Sequence, residues 1–254
     1  MSGSLAKALQ ILVELGEAPA SLDQLAGALG VHKTTVLRLL RTLADDHFVF
    51  RDSGHRYHLG ARVYELSSRG LEQRAVRGIA APHLAAFNRG HGRTTHLSEL
   101  DGREIVYIDK LESHDHVRMA SRIGLRAPIH STAAGKVLVA DLSPAELAVA
   151  LVGLEYPKAT PSTITDEAAY RAELERVRAQ GWAQDREENE PSINCIAAPV
   201  RDASGRAVAA VSVSVPDIVL GYAQLLELVP GLLAVTEAIS RDCGWQPPSR
   251  KESG

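Results

Sequence analysis

Two observations predict an α+β protein in two parts. The first sixty residues read as three helices followed by a hairpin, and beyond His91 strands and helices follow one another in mixed order, the pattern of an antiparallel sheet with helices packed on it. A chain of 254 residues is long enough for two such domains. Its 45% hydrophobic and 23% charged content is ordinary for a packed protein, and with aromatics at 4% the core is expected to be Leu, Val, Ala and Ile.

The elements follow in order. Leu5, Ala8, Leu9, Ile11, Leu12 and Leu15 share one helical face, and Gly16 stands where a glycine would end that helix. In SLDQLAGALG, Ser21 and Gln24 form a capping-box pattern, with Leu22, Leu25, Ala26 and Leu29 as the buried stripe and Gly30 as the stop. A third helix is expected from about Lys33 to Asp46, burying Val36, Leu39 or Leu40, Leu43 and Ala44. FVFRDSGHRYHLG then reads as two short strands around Asp52, Ser53 and Gly54. Helix returns from Ala61 to about Gly92, interrupted or restarted at Pro82, and the linker between the domains belongs there.

Past His91, HLSEL, EIVYIDKLE and HVRMA read as strands, with a hairpin turn at residues 101–103. STAAGKVLVADL and SPAELAVAL read as helices. TDEAAYRAELERVRAQG is a third, starting at Thr165 and stopping at Gly181. INCIAAPVRDASGRAVAAVSVSVP forms a second hairpin around residues 203–205, and a last helix occupies about Leu220 to Asp242. The expected domains are therefore 1–60, a linker helix over 61–78, a second domain over 79–246 and a disordered tail over 247–254.

Several function classes lose support on composition. No apolar run approaches a membrane span, and Glu14 interrupts what would be the apolar region of a signal peptide, so the expected location is cytoplasmic with no membrane partner. Cys195 and Cys243 show neither CxxC nor zinc-ligand spacing, which predicts free thiols, no metal and no cofactor. AAGK is not a phosphate loop, because Gly124 lies eleven residues before Gly135 and Lys136 is followed by Val137 where Ser or Thr should stand.

Charge is unevenly placed. The formal net charge is −3, yet residues 30–62 carry six Lys or Arg against three Asp or Glu. Helix, short capped helix, glycine turn, helix and hairpin is the order of a winged helix-turn-helix, whose third helix enters the major groove of DNA. On that helix His32, Lys33, Thr34, Thr35, Arg38 and Arg41 are the candidate DNA-binding residues, joined by His55 and Arg56 on the wing. Lys and Arg donate to guanine or phosphate, and threonine serves either with its hydroxyl and thymine with its methyl. A solvated face is the usual fate of such charges; the co-occurrence with the capped helix, the turn and the hairpin favours double-stranded DNA.

With GVHKTTVLRLLRTL, then RYHLG, then APIHSTAAGKVLVADL, and last GWAQDREENEPSINCIAAPVRDASGRAVAAVSVSVP, the chain closely resembles the IclR family of bacterial transcriptional regulators over nearly its whole length. The resemblance implies a winged helix-turn-helix domain, a linker helix that helps dimerise, and a GAF-like C-terminal domain binding a small organic effector. It implies homodimers or homotetramers on palindromic or repeated operators. The two-part architecture favours an effector-responsive regulator, a repressor more than an activator. By motif the resemblance points to Met119, Ala133, Ala134, Asp185, Cys195, Ser212 and Ser214 as effector-binding residues. Chemistry is compatible: Ser131 or Thr132 caps a helix whose N-terminus suits a carboxylate, and Ser212 and Ser214 face one way on a strand.

Each of these residues has a plainer reading. The serines of VSVSV mark the less buried face of many sheets, Cys195 acts as a small hydrophobe, and Asp185 adjoins an acidic DREENEP segment that reads as a solvated loop. Two rival functions stand beside the regulator: an architectural DNA-binding protein without effector, and a cytoplasmic enzyme using Cys195 or Ser131 with His130 or His96. The enzyme lacks a G-x-S-x-G elbow and leaves the basic helix unexplained.

Overall fold

Local signals build the N-terminal unit. A computed structural model describes residues 3–72, 75–115 and 117–247. The chain divides into two units, 1–73 and 74–254, a division that falls inside the stretch expected to be linker. The first unit holds α1 (Ser4–Glu17), α2 (Leu22–Leu29), α3 (Lys33–Asp45), β1 (Val49–Arg51), β2 (Tyr57–Leu59) and α4 (Ala61–Glu72). The capping box forms at α2: Ser21 Oγ accepts from the Gln24 N–H at 3.3 Å, and Gln24 Oε1 from the Ser21 N–H at 2.9 Å. Gly30 ends α2 at φ 63°, a left-handed conformation glycine reaches without a Cβ clash. Ile11, Leu25, Val36, Leu40 and Val49 close the core.

Two readings of α1 are corrected. It runs past Gly16 to Glu17, and Leu5 and Leu9 are 73% and 55% exposed within this unit, leaving Ile11 and Leu15 as its buried residues. The end of α3 also carries a surprise: His47, not a glycine, takes the left-handed conformation at φ 62°, and the Phe48 N–H closes back on the Leu43 carbonyl at 2.8 Å.

The second unit is a six-stranded antiparallel sheet in the order β5-β4-β3-β8-β7-β6. Its strands are β3 (Thr94–Asp101), β4 (Glu104–Leu111), β5 (Arg126–Pro128), β6 (Ala183–Arg186), β7 (Ile193–Arg201) and β8 (Ala207–Pro216). α5 (Ala75–His91) and α10 (Val229–Asp242) cover one face with α9 (Tyr222–Leu226); α6 (Ala133–Ala140), α7 (Pro144–Leu151) and α8 (Glu167–Gln180) cover the other. Strand alternation sorts the two cores. Val211 and Val213 face α10, while Ala197 and Ala210 face α6.

Four expectations change here. Pro82 lies inside α5 without ending it, at the loss of one backbone hydrogen bond. Residues 117–120 of HVRMA are not a strand, His116 lies outside the described residues, and β5 forms later instead. The last helix is two, with Pro230 in the first turn of α10, where its missing N–H costs nothing. Finally, Tyr222–Asp242 does pass the length and composition test for a membrane span, with mean hydropathy 1.3; Leu225, Leu232 and Ile239 are nonetheless fully buried against the sheet. Of the expected tail, 248–254 lies outside the described residues.

Candidate functional site

The outer face of α3 is fixed by its own N-cap. His32 Nδ1 accepts from the Thr34 N–H at 3.4 Å and lies 2.9 Å from Thr34 Oγ1. Lys33 Nζ is 2.7 Å from Asp23 Oδ1 of α2, an exposed pair that contributes little to stability. Arg38 and Arg41 are exposed and have no ion-pair partner among the described residues, and Thr35 is half-buried between them and the cap. Their guanidinium groups are open to an outside anion.

On the wing, His55 occupies the tip at φ 63°. Arg56 is tied back: its guanidinium donates to the Pro19 carbonyl, and its N–H to Asp52 Oδ1 at 2.9 Å. Ala20 bridges Tyr57 through two backbone hydrogen bonds of 3.1 and 2.8 Å, a third strand piece that no local pattern announces.

In the second unit, all seven residues inferred for the effector line one cavity between α6 and the sheet: Met119, Ala133, Ala134, Asp185, Cys195, Ser212 and Ser214. It holds about 440 Å³ of atom-free space, open solvent at its mouth included, but the centre of a water-sized sphere ranges over only about 30 Å³. The site is narrow. Thr132 caps α6, its Oγ1 accepting from the Gly135 N–H at 3.2 Å and donating to the Pro128 carbonyl at 2.6 Å. The N–H groups of Ala133 and Ala134 then find no acceptor among the described residues, and they sit at the positive end of the helix dipole.

The sheet supplies the opposite wall. Ser212 and Ser214 alternate with valines packed on the other face, and both serines are buried. Cys195 donates to Ser214 Oγ at 3.1 Å, and burial pushes its thiol up. Asp185, far from a solvated loop, lies on β6 opposite Cys195 and is 2% exposed. Its Oδ1 accepts from the N–H groups of Glu188 (2.7 Å) and Asn189 (3.3 Å). Burial nevertheless raises its carboxyl to about 7, and the Glu188 carboxylate adds to the effect.

Reading the sequence missed Tyr107, Ser121, Asn189 and Glu190 on the same walls and named His96 only within the rival enzyme reading. His96 pairs with Ser212 across β3 and β8 and is 1% exposed; its Nε2 lies 2.7 Å from Ser121 Oγ, and Nδ1 has no partner among the described residues. Burial holds its imidazole down at about 3, so the ring is neutral. Ser121 Oγ does stand beside a ring nitrogen, but no group among the described residues orients Nδ1 and burial leaves the imidazole a poor base, so the pair lacks the third member of a catalytic triad. No group of three His, Cys, Asp or Glu able to hold a metal occurs among the described residues.

Behind α6, Lys136 is fully buried with Nζ 2.5 and 2.7 Å from the Glu188 carboxylate and 2.9 Å from the Gln184 carbonyl. That ammonium is committed to the protein and does not enter the cavity.

Comparison with known proteins gives concordant results. Residues 4–53 match the profile of the IclR helix-turn-helix domain, and residues 69–241 that of the bacterial transcriptional regulator IclR C-terminal domain. The HTH-type transcriptional regulator XynR of Escherichia coli (strain K12) is 36% identical over 245 residues, covering 95% of this chain and 97% of its own. The HTH-type transcriptional repressor AllR of Salmonella typhi is 32% identical, over 90% of this chain and 85% of its own. Among solved structures, the Thermotoga maritima IclR superposes with a TM-score of 0.83 at 34% identity, covering 95% of this chain and 98% of that one.

Proposed function

The chain belongs to the IclR family of bacterial transcriptional regulators, and from that premise we propose that it is a cytoplasmic, sequence-specific repressor released by a small organic carboxylate. α3 enters the major groove of a palindromic or repeated operator as part of a homodimer or homotetramer, with Arg38 nearest the bases and Lys33, Arg41 and His55 toward phosphates, while Arg56, tied to Pro19, braces the wing. The effector sits against the start of α6. One observation carries the reading: two N–H groups without an acceptor among the described residues belong to Ala133 and Ala134, which line a narrow cavity together with Ser212 and Ser214. An architectural DNA-binding protein has no use for such a site, and the relatives are regulators, not enzymes.

Ala133→Trp fills that cavity and is expected to abolish the response to effector while operator binding without effector stays within about two-fold, read by fluorescence anisotropy. A retained response places the effector elsewhere. Arg38→Ala is expected to weaken operator binding by about 1–3 kcal/mol with little change on random DNA. Equal loss on both assigns Arg38 to the phosphate backbone. Sites selected from random DNA at two salt concentrations are expected to enrich a spaced repeat; binding without enrichment favours the architectural alternative.

A further inference from the structure

Resting on the carboxylate-effector reading, we infer that Asp185 determines the specificity of the cavity: it meets the effector carboxylate as a neutral acid, so that binding takes up one proton and monocarboxylates are selected over dicarboxylates. The argument begins with charge. No Lys or Arg side chain lines the cavity, whereas two acids do, Asp185 within it and Glu190 exposed at its mouth. Among the residues that line it, the positive feature is the N-terminus of α6, equivalent to about half a charge. That offsets about half of one carboxylate and leaves a second one uncompensated.

Two cations beside the cavity, Lys110 and Lys136, are occupied. Lys110 Nζ donates to the carbonyls of Met119 (2.9 Å) and Ser121 (2.6 Å) and pairs with Glu112 at 2.9 Å. Lys136 of α6 is held by Glu188 and by Glu173 of α8. Around Asp185 itself stand the Cys195 thiol from β7, the Tyr107 phenol from β4, and Glu188 and Glu190 from the segment after β6. Burial keeps the thiol and the phenol neutral, so neither offsets a second negative charge. Burial already raises the carboxyl of Asp185 to about 7. A ligand carboxylate beside it raises it further, because two like charges in one narrow site share a proton before both ionise.

The test is calorimetry of the full chain with glycolate, lactate, pyruvate and glycerate, and with malonate and tartronate as dicarboxylates, in buffers of differing ionisation heat. For the tightest monocarboxylate, proton uptake is expected to approach one per site at about pH 8.5 and to vanish near pH 5.5. Its Kd is expected to rise about ten-fold per pH unit above 7. The dicarboxylates are expected to bind at least ten-fold more weakly. Asp185→Asn, which keeps an acceptor for the Glu188 and Asn189 N–H groups, is expected to bind with no proton uptake and a Kd constant from pH 6 to 8.5.

Binding without proton uptake in the unaltered protein overturns the inference and leaves the effector reading standing; that result needs no variant to fold. Uptake that persists in folded Asp185→Asn also overturns it, by assigning the proton elsewhere. Absence of binding by every acid at about 10 mM overturns the effector reading, and the inference with it.

Discussion

Replacing Lys136 by methionine is expected to destabilise the C-terminal unit by about 3–5 kcal/mol, measured by urea denaturation at pH 7.5. The ammonium has no contact with water, and it satisfies both oxygens of Glu188 together with the Gln184 carbonyl. Methionine fills much of the same volume, so the loss is not a cavity effect; it is the cost of a buried carboxylate without its counter-ion. Burial already pushes the Glu188 carboxyl up, and Lys136 is the largest influence holding it down. In the variant Glu188 therefore keeps its proton to higher pH in the folded state than in the unfolded chain. An acid shifted that way destabilises the fold increasingly as pH rises from its unfolded value to its folded one, so the deficit is expected to be smaller at pH 5 than at pH 8. Adding Glu188→Gln is expected to restore most of the loss at pH 8. A deficit below about 1 kcal/mol, or one independent of pH, refutes this account of the pair.

Gly60→Ala is expected to cost the N-terminal unit about 3 kcal/mol or more and to abolish operator binding with it. Gly60 joins β2 to α4, and a Cβ there would stand 2.2 Å from the His47 carbonyl oxygen and 3.0 Å from the Phe48 carbonyl carbon. These are backbone atoms that cannot rotate away. They are also tied, the Gly60 N–H to the Phe48 carbonyl at 2.7 Å and the Arg62 N–H to the His47 carbonyl at 3.1 Å. Gly30→Ala is the informative contrast: its Cβ meets nothing within 4 Å, and only the left-handed φ of 63° opposes it. That substitution is expected to cost about 1–2 kcal/mol. Thermal unfolding of both variants checks the pair, and equal losses would show that crowding at Gly60 is relieved by backbone movement.

Much of this architecture was legible in the sequence because its signals span three or four residues. Ser21 and Gln24 had only to be three apart for their capping box to form, and Asp166, one residue after the expected start at Thr165, caps α8 in the same local way. Alternation in VSVSV placed Ser212 and Ser214 on one face, and the family motifs added Met119, Ala133, Ala134, Asp185 and Cys195, which the fold does bring to one cavity. What tertiary structure alone decided is what depends on partners distant in the chain. His96 joins the cavity because β3 pairs with β8, 116 residues away at Ser212, and no local pattern fixes that register. Asp185 and Lys136 are charged residue types that a composition-based reading sends to the surface; Lys136 is buried because the Glu188 carboxylate, 52 residues on, meets it, and Asp185, though its N–H donors are near neighbours, because β6 pairs with β7. Pro82 is tolerated inside α5 because Ala80 and Leu84, on either side of it, are fully buried in the sheet's core. Sequence thus set the helices, turns and strand faces through interactions between near neighbours, whereas strand register and the burial of charge were set by packing between segments that sequence does not place side by side.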